Sequence, residues 1–186
     1  MSRPDRSFYL QDTVDVARQL LGKVLVRKIG NTAISGIITE TEAYRHSDDP
    51  ASHAYRGITP RNRAMFESVG HAYVYFTYGM YHCVNVVAKS NRHPAGAVLI
   101  RALEPKSGLD LMKKNRNTDK ISNLTSGPGK LAMALDITKK QYGEDIVKSK
   151  ILYITDGITP KKIFASPRIG ISAGLEKKWK IGRAHV

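Results

Sequence analysis

The sequence predicts a single α+β domain, a mostly antiparallel sheet with helices packed on it. Three observations predict it. Apolar runs of strand length are joined by tight Gly-containing turns, at Gly30-Asn31 and at Gly79-Met80. Helix signals fall between groups of strands, without the strict strand–helix–strand alternation of a doubly wound fold. The 186 residues suit one domain, and 41% hydrophobic with 25% charged residues is enough for a packed core.

Taken in order, Asp12 or Thr13 caps a helix whose apolar stripe includes Val14, Ala17, Leu20 and Leu21, with Gly22 as its stop. Residues 23–29 form a strand, and 32–44 a second one that bends at Gly36. Side chains alternate along a strand, so Glu40, Glu42 and Tyr44 share a face. Residues 45–58 form a polar loop, because Asp48, Asp49 and Pro50 oppose regular structure. Thr59 and Pro60 have the form of an N-cap and first helical residue. Residues 71–78 and 81–88 are paired strands. Residues 97–103 form another strand, running into Glu104-Pro105. A helix is expected over 107–116 and a polar connection over 116–124. Ser126-Gly127-Pro128 opens a further helix carrying Lys130, Leu131, Met133, Ala134 and Leu135. Residues 151–155 and 168–172 complete the strands.

Lysines and arginines number 30 against 16 acids, a net charge of +14. A surplus this large points to a polyanionic partner, and nucleic acid fits best because Lys and Arg neutralise phosphates. No basic helix with a continuous apolar face supports a membrane surface instead. The single cysteine, Cys83, allows no disulfide within the chain and suits a reducing compartment. Residues 1–6 lack an apolar signal core, and no stretch reaches the length of a membrane span. A cytoplasmic protein is expected.

Five segments could carry chemistry. Glu40 and Glu42 lie beside Tyr44, an arrangement that suits a general base acting on water and equally suits two surface acids. His53 follows in the next loop. Residues 73–81 hold four tyrosines and a phenylalanine, against 8% aromatic residues in the whole chain. Such rings usually pack, yet Tyr78 sits at a hairpin tip, where an exposed ring could stack on bases or wedge between them. Arg101, in an apolar strand, needs a partner or a site; Glu40 or Glu42 could be that partner. The Gly-rich turn before Lys130 can receive a phosphate on backbone N–H groups, although it lacks the P-loop spacing. Arg56, Arg61 and Arg63 add a basic cluster. His71, His82 and Cys83 match no familiar ligand spacing, so neither metal nor cofactor is expected.

Together these segments resemble the alkyladenine (3-methyladenine) DNA glycosylase family, in its bacterial form. The resemblance runs from about Leu10 to Trp179, in order and without large gaps. It is carried by Glu40-Thr41-Glu42-Ala43-Tyr44, Thr59-Pro60-Arg61-Asn62-Arg63, the segment 73–80, Ile100-Arg101-Ala102-Leu103-Glu104-Pro105, Ser126-Gly127-Pro128-Gly129-Lys130 and Arg168-Ile169-Gly170-Ile171. It implies one glycosylase domain over 1–180, with a curved sheet and a protruding β-hairpin. It also implies an enzyme that flips alkylated or deaminated purines, such as 3-methyladenine or hypoxanthine, out of duplex DNA. The N-glycosidic bond is hydrolysed to an abasic site, without strand cutting, by a monomer.

The resemblance assigns Glu42 as the general base. Arg101 helps hold the water and the flipped nucleotide's phosphate, and backbone around Ile169 contributes to the same water site. Tyr44 and Tyr75 sandwich the base, His53 meets its edge, and Asn85 crowds the amino group of guanine. Tyr78 fills the gap in the duplex. Arg61, Arg63 and Lys130 are candidate phosphate contacts. Two other readings stay open: a DNA-binding module that only detects damage, and an RNA-binding domain using the aromatic strands for stacking. The last six residues, Ile181-Gly182-Arg183-Ala184-His185-Val186, look foreign to the family and read like a translated sequencing adapter. They are expected to be a non-native tail.

Overall fold

The computed structural model describes residues 2–183. Helices α1 (Arg6–Tyr9), α2 (Thr13–Gln19), α3 (Leu109–Arg116) and α4 (Pro128–Ala134) accompany eight strands. These are β1 (Val24–Ile29), β2 (Thr32–Tyr44), β3 (Ala72–Thr77), β4 (Tyr81–Val87), β5 (Ala97–Ser107), β6 (Leu152–Thr155), β7 (Ile163–Ser166) and β8 (Lys180–Arg183). They form one antiparallel sheet in the order β3-β4-β5-β2-β1-β6. The far half of β2 also pairs with β8, and β8 with β7. No helix among the described residues is long and apolar enough to cross a membrane.

The helical signals at the start of the chain act as expected. The Asp12 carboxylate accepts from the Val14 N–H and caps α2. Val16, Ala17 and Leu20 are buried against the sheet, and the Thr41 hydroxyl of β2 donates to the Ala17 carbonyl at 2.9 Å. Gly22 has φ +84° and ends the turn. The sheet curves because β2 is irregular: its register with β5 shifts at Ser35/Gly36 and on either side of Glu40. Gly36 permits the first of these shifts, since a Cβ there would lie 2.8 Å from Leu103 Cβ. The main core lies between the sheet and the helices, around Tyr9, Leu20, Ile38, Ile100, Met112 and Leu131. A smaller cluster around Ala54, Met65 and Tyr73 supports the loop after β2.

Several elements depart from expectation. Thr59 and Pro60 do not open a helix; a short 3₁₀ turn begins only at Arg63. The competing structure is an Asn62 clasp, whose side chain accepts from the Thr59 N–H and donates to the carbonyls of His53 and Gly57. β5 continues through Pro105 to Ser107, and α3 starts two residues later than predicted, after Gly108 at φ +75°. Pro105 is tolerated because it faces Gly36 at the register shift. Residues 168–172 form an irregular loop, not a strand. Its Ile169 N–H bonds a carboxylate instead of a ladder carbonyl. The helix α1 and the strand β7 carried no recognised signal. Ile181, Gly182 and Arg183 lie in β8, where Ile181 is buried and Arg183 pairs with Glu104. Ala184, His185 and Val186 lie outside the described residues.

Two loops, 45–58 and 167–179, are tied together by a buried ion pair. Arg168 donates twice to Asp49, at 2.7 Å each, and both side chains are fully buried. Arg168 also donates to the Ala43 carbonyl, and Asp49 accepts the Arg45 N–H. Removing one partner leaves the other charged and out of water. Asp49→Ala is therefore expected to cost about 3–5 kcal/mol in urea unfolding; a loss under about 1 kcal/mol would mean the pair does not hold the loops.

Candidate active site

The face of the sheet away from the main core carries a cavity of about 460 Å³. Register builds its floor. Glu42 on β2 lies opposite Leu99 on β5, Leu99 opposite Asn85 on β4, and Asn85 opposite Tyr73 on β3. One row across four strands thus faces the same way. Two residues to one side of this row lie Arg101, Cys83 and Tyr75, and two residues to the other side lies Tyr44, all of them lining the cavity. The loop after β2 adds Pro50, Ala51 and His53, residues 169–173 close the opposite wall, and Pro128 of α4 reaches the rim.

Glu42 is fully buried and well supplied with donors. Oε1 accepts the Ile169 N–H at 2.9 Å and lies 3.3 Å from Arg101 Nη1. Oε2 accepts the Tyr44 hydroxyl at 2.8 Å. Arg101 also reaches Glu40 at 3.7 Å, and Lys180 reaches the same Glu40 oxygen at 3.1 Å. Burial first, then the Glu42 charge, pushes the Tyr44 phenol far above its ordinary pKa. Tyr44 therefore stays protonated and acts as a donor to the carboxylate.

The aromatic part of the cavity lies beside this carboxylate. His53 meets the Tyr75 ring edge-on at 4.7 Å between centroids, and its Nδ1 is 2.9 Å from the Tyr73 hydroxyl. Tyr73 and Tyr75 are 5.4 Å apart. Burial, and then the charge of Arg61, holds the His53 pKa below its ordinary value, so its ring is neutral at pH 7. The guanidinium of Arg61 stands 5.3 Å from the Tyr75 centroid, and that of Arg168 stands 4.7 Å from the Tyr44 centroid. Asn85 is buried at the floor, its Nδ2 donating to the Tyr73 carbonyl.

Tyr78 projects from the hairpin tip, with 80% of its surface exposed. Its φ of +51°, followed by +67° at Gly79, is unusual for a bulky residue. Strain of this kind is held where the surroundings impose it, often at working sites. The phosphate candidates differ in how they are held. Arg61 donates to the Phe76 carbonyl, exposed Arg63 pairs with Glu67 at 2.9 Å, and Lys130 is tethered to Asn123 and Ser126. His71, His82 and Cys83 do not converge. His71 lies by Asp145, His82 lies tilted against Phe76, and Cys83 lines the cavity.

Glu42, Tyr44, His53, Tyr75, Asn85, Arg101 and Ile169 are thus brought to one cavity, with Tyr78 at its edge. Sequence reasoning missed Tyr73 as the partner of His53, Cys83 as a cavity residue, and the Asp49–Arg168 pair beneath Tyr44. Period two puts Tyr73 on one strand face with Tyr75, which signals a common side of the sheet but not the contact with His53. Nothing local signals a pairing between residues 119 positions apart.

Residues 7–184 match the model of the methylpurine-DNA glycosylase family. A relative from Prosthecochloris aestuarii is 46% identical over 97% of this chain and 87% of its own length. One from Carboxydothermus hydrogenoformans is 49% identical over 94% and 92%, and one from Chlorobium phaeovibrioides 45% identical over 100% and 97%. All three bear the provisional name 3-methyladenine DNA glycosylase. With a family match over nearly its whole length and relatives this similar, the chain belongs to the methylpurine-DNA glycosylase family.

Proposed function

We propose that this protein is a DNA glycosylase of base excision repair. It extrudes alkylated or deaminated purines from duplex DNA and hydrolyses their N-glycosidic bond. One observation carries the reading: Glu42, a buried carboxylate held by three donors, stands at the end of an aromatic-walled cavity. The family and the names of the relatives support glycosylase chemistry, and the net charge of +14 supports a DNA partner.

Chemistry on a base in a duplex requires extrusion, at a cost of a few kcal/mol, and a damaged base is extruded more easily. Tyr78, held out by its backbone, stacks in the vacated space and offsets part of that cost. The base enters between Tyr44 and Tyr75, with neutral His53 against its edge. Asn85 stands where the amino group of guanine would fall. Water at Glu42 meets the Ile169 amide and Arg101, which orient it. Its oxygen bonds to the anomeric carbon as the C–N bond breaks, its proton passes to Glu42, and the electron pair leaves with the base. The carboxylate also stabilises the positive charge that develops on the sugar. No lysine is among the cavity-lining residues, so the product is an intact abasic strand. Arg63 and Lys130 contact phosphates beside the lesion, and one protomer suffices.

Base release from a duplex with a single hypoxanthine, read as alkali-labile sites, tests the reading. Wild type is expected to release the base, and Glu42→Gln to lose at least about a hundredfold in rate. Tight binding without release by wild type would make the protein a damage sensor instead. Borohydride should trap no covalent enzyme–DNA species; a trapped adduct would mean an amine nucleophile and strand cutting. Tyr78→Ala should weaken binding to lesion duplex by roughly tenfold, while Tyr78→Phe, which keeps the ring, stays close to wild type.

A further inference from the structure

The charges around the cavity are divided between its two ends. Among the cavity-lining residues the charged ones are Glu42 and Arg101, both at the sugar end as proposed above. The base end presents Tyr44, His53, Tyr73, Tyr75, Cys83 and Asn85, and no carboxylate. Against the two stacking rings, however, stand two guanidiniums. Arg168 lies 4.7 Å from the Tyr44 centroid and Arg61 5.3 Å from the Tyr75 centroid, and neither is among the cavity-lining residues. Arg168 is neutralised by Asp49. Arg61 has no carboxylate within ion-pair distance among the described residues, and it donates only to neutral oxygens, such as the Phe76 carbonyl.

We propose that Arg61 is a specificity-determining residue that favours release of neutral purine lesions over cationic alkylpurines. This rests on the placement of the base between Tyr44 and Tyr75 given above. When the C–N bond breaks, its electron pair stays on the base nitrogen. A neutral lesion such as hypoxanthine departs with a developing negative charge, later quenched by a proton from water. A cationic base such as 7-methylguanine departs neutral. A fixed positive charge at the Tyr75 ring stabilises the first departure and not the second. The same charge draws down the face of the Tyr75 ring, which would otherwise attract a cation. Its reach is visible in His53, whose basicity it lowers together with burial.

Single-turnover release with enzyme in excess separates this role from phosphate binding. Duplexes carrying hypoxanthine or 7-methylguanine are compared for wild type, Arg61→Gln and Arg61→Lys. Arg61→Gln is expected to slow hypoxanthine release about tenfold and 7-methylguanine release by no more than about twofold. Arg61→Lys, which keeps the charge, restores most of the hypoxanthine rate. Equal losses on both substrates, or no loss on either, would overturn the proposal and leave Arg61 as a phosphate anchor or a bystander. If wild type releases neither base, the glycosylase function itself falls, and this inference with it.

Discussion

The buried pair between Asp49 and Arg168 is the constraint on which the site depends. A guanidinium and a carboxylate out of water tolerate little displacement, because each lost hydrogen bond exposes an unpaired charge to a low dielectric. That rigidity is transmitted in three directions. Arg168 holds the Ala43 carbonyl beside Glu42, lies against the Tyr44 ring, and is followed by the N–H that meets the Glu42 carboxylate. Asp49 holds the loop that four residues later delivers His53. A single pair thus fixes carboxylate, ring and histidine relative to one another, across loops that have no regular structure of their own.

The sheet supplies what loops cannot. Its antiparallel register aligns Glu42, Leu99, Asn85 and Tyr73 in one row, so the spacing between the carboxylate end and the aromatic end is set by strand separation. The opposite face is given to the core and helices. β2 serves both: its first half pairs with β1 and its second with β8, while β5 runs along its other side. The segment bearing Glu42 is therefore interior to the sheet, with hydrogen-bonded neighbours on both edges.

Much of this was legible in the sequence where a local rule decides the outcome. Period two put Glu42 and Tyr44 on one side of a strand whose bounds, Thr32–Tyr44, match the observed ones. The glycine at position 79 marked the hairpin and hence the exposure of Tyr78. The resemblance named Arg101 and Ile169, and the structure brings both to Glu42. The failures came where long-range contacts outweigh local preference. Thr59 and Pro60 have a helix-start pattern, but Asn62 spends its side chain on closing the loop. Residues 168–172 have the composition of a strand, but a charge pair and a carboxylate take their polar groups. Local propensity is a weak guide wherever tertiary partners are this strong.

The backbone at Tyr78 and Gly79 is already left-handed, and the Tyr78 ring already stands in solvent. A fingertip shaped in advance requires no folding step when the protein meets DNA. On the mechanism proposed above, each encounter along a duplex is an immediate trial insertion. On the proposed mechanism, the tempo of the search is governed by how readily each base pair yields, and not by a rearrangement of the protein. The strain stored at one tyrosine thereby turns the mechanical weakness of a damaged base pair into the signal by which it is found.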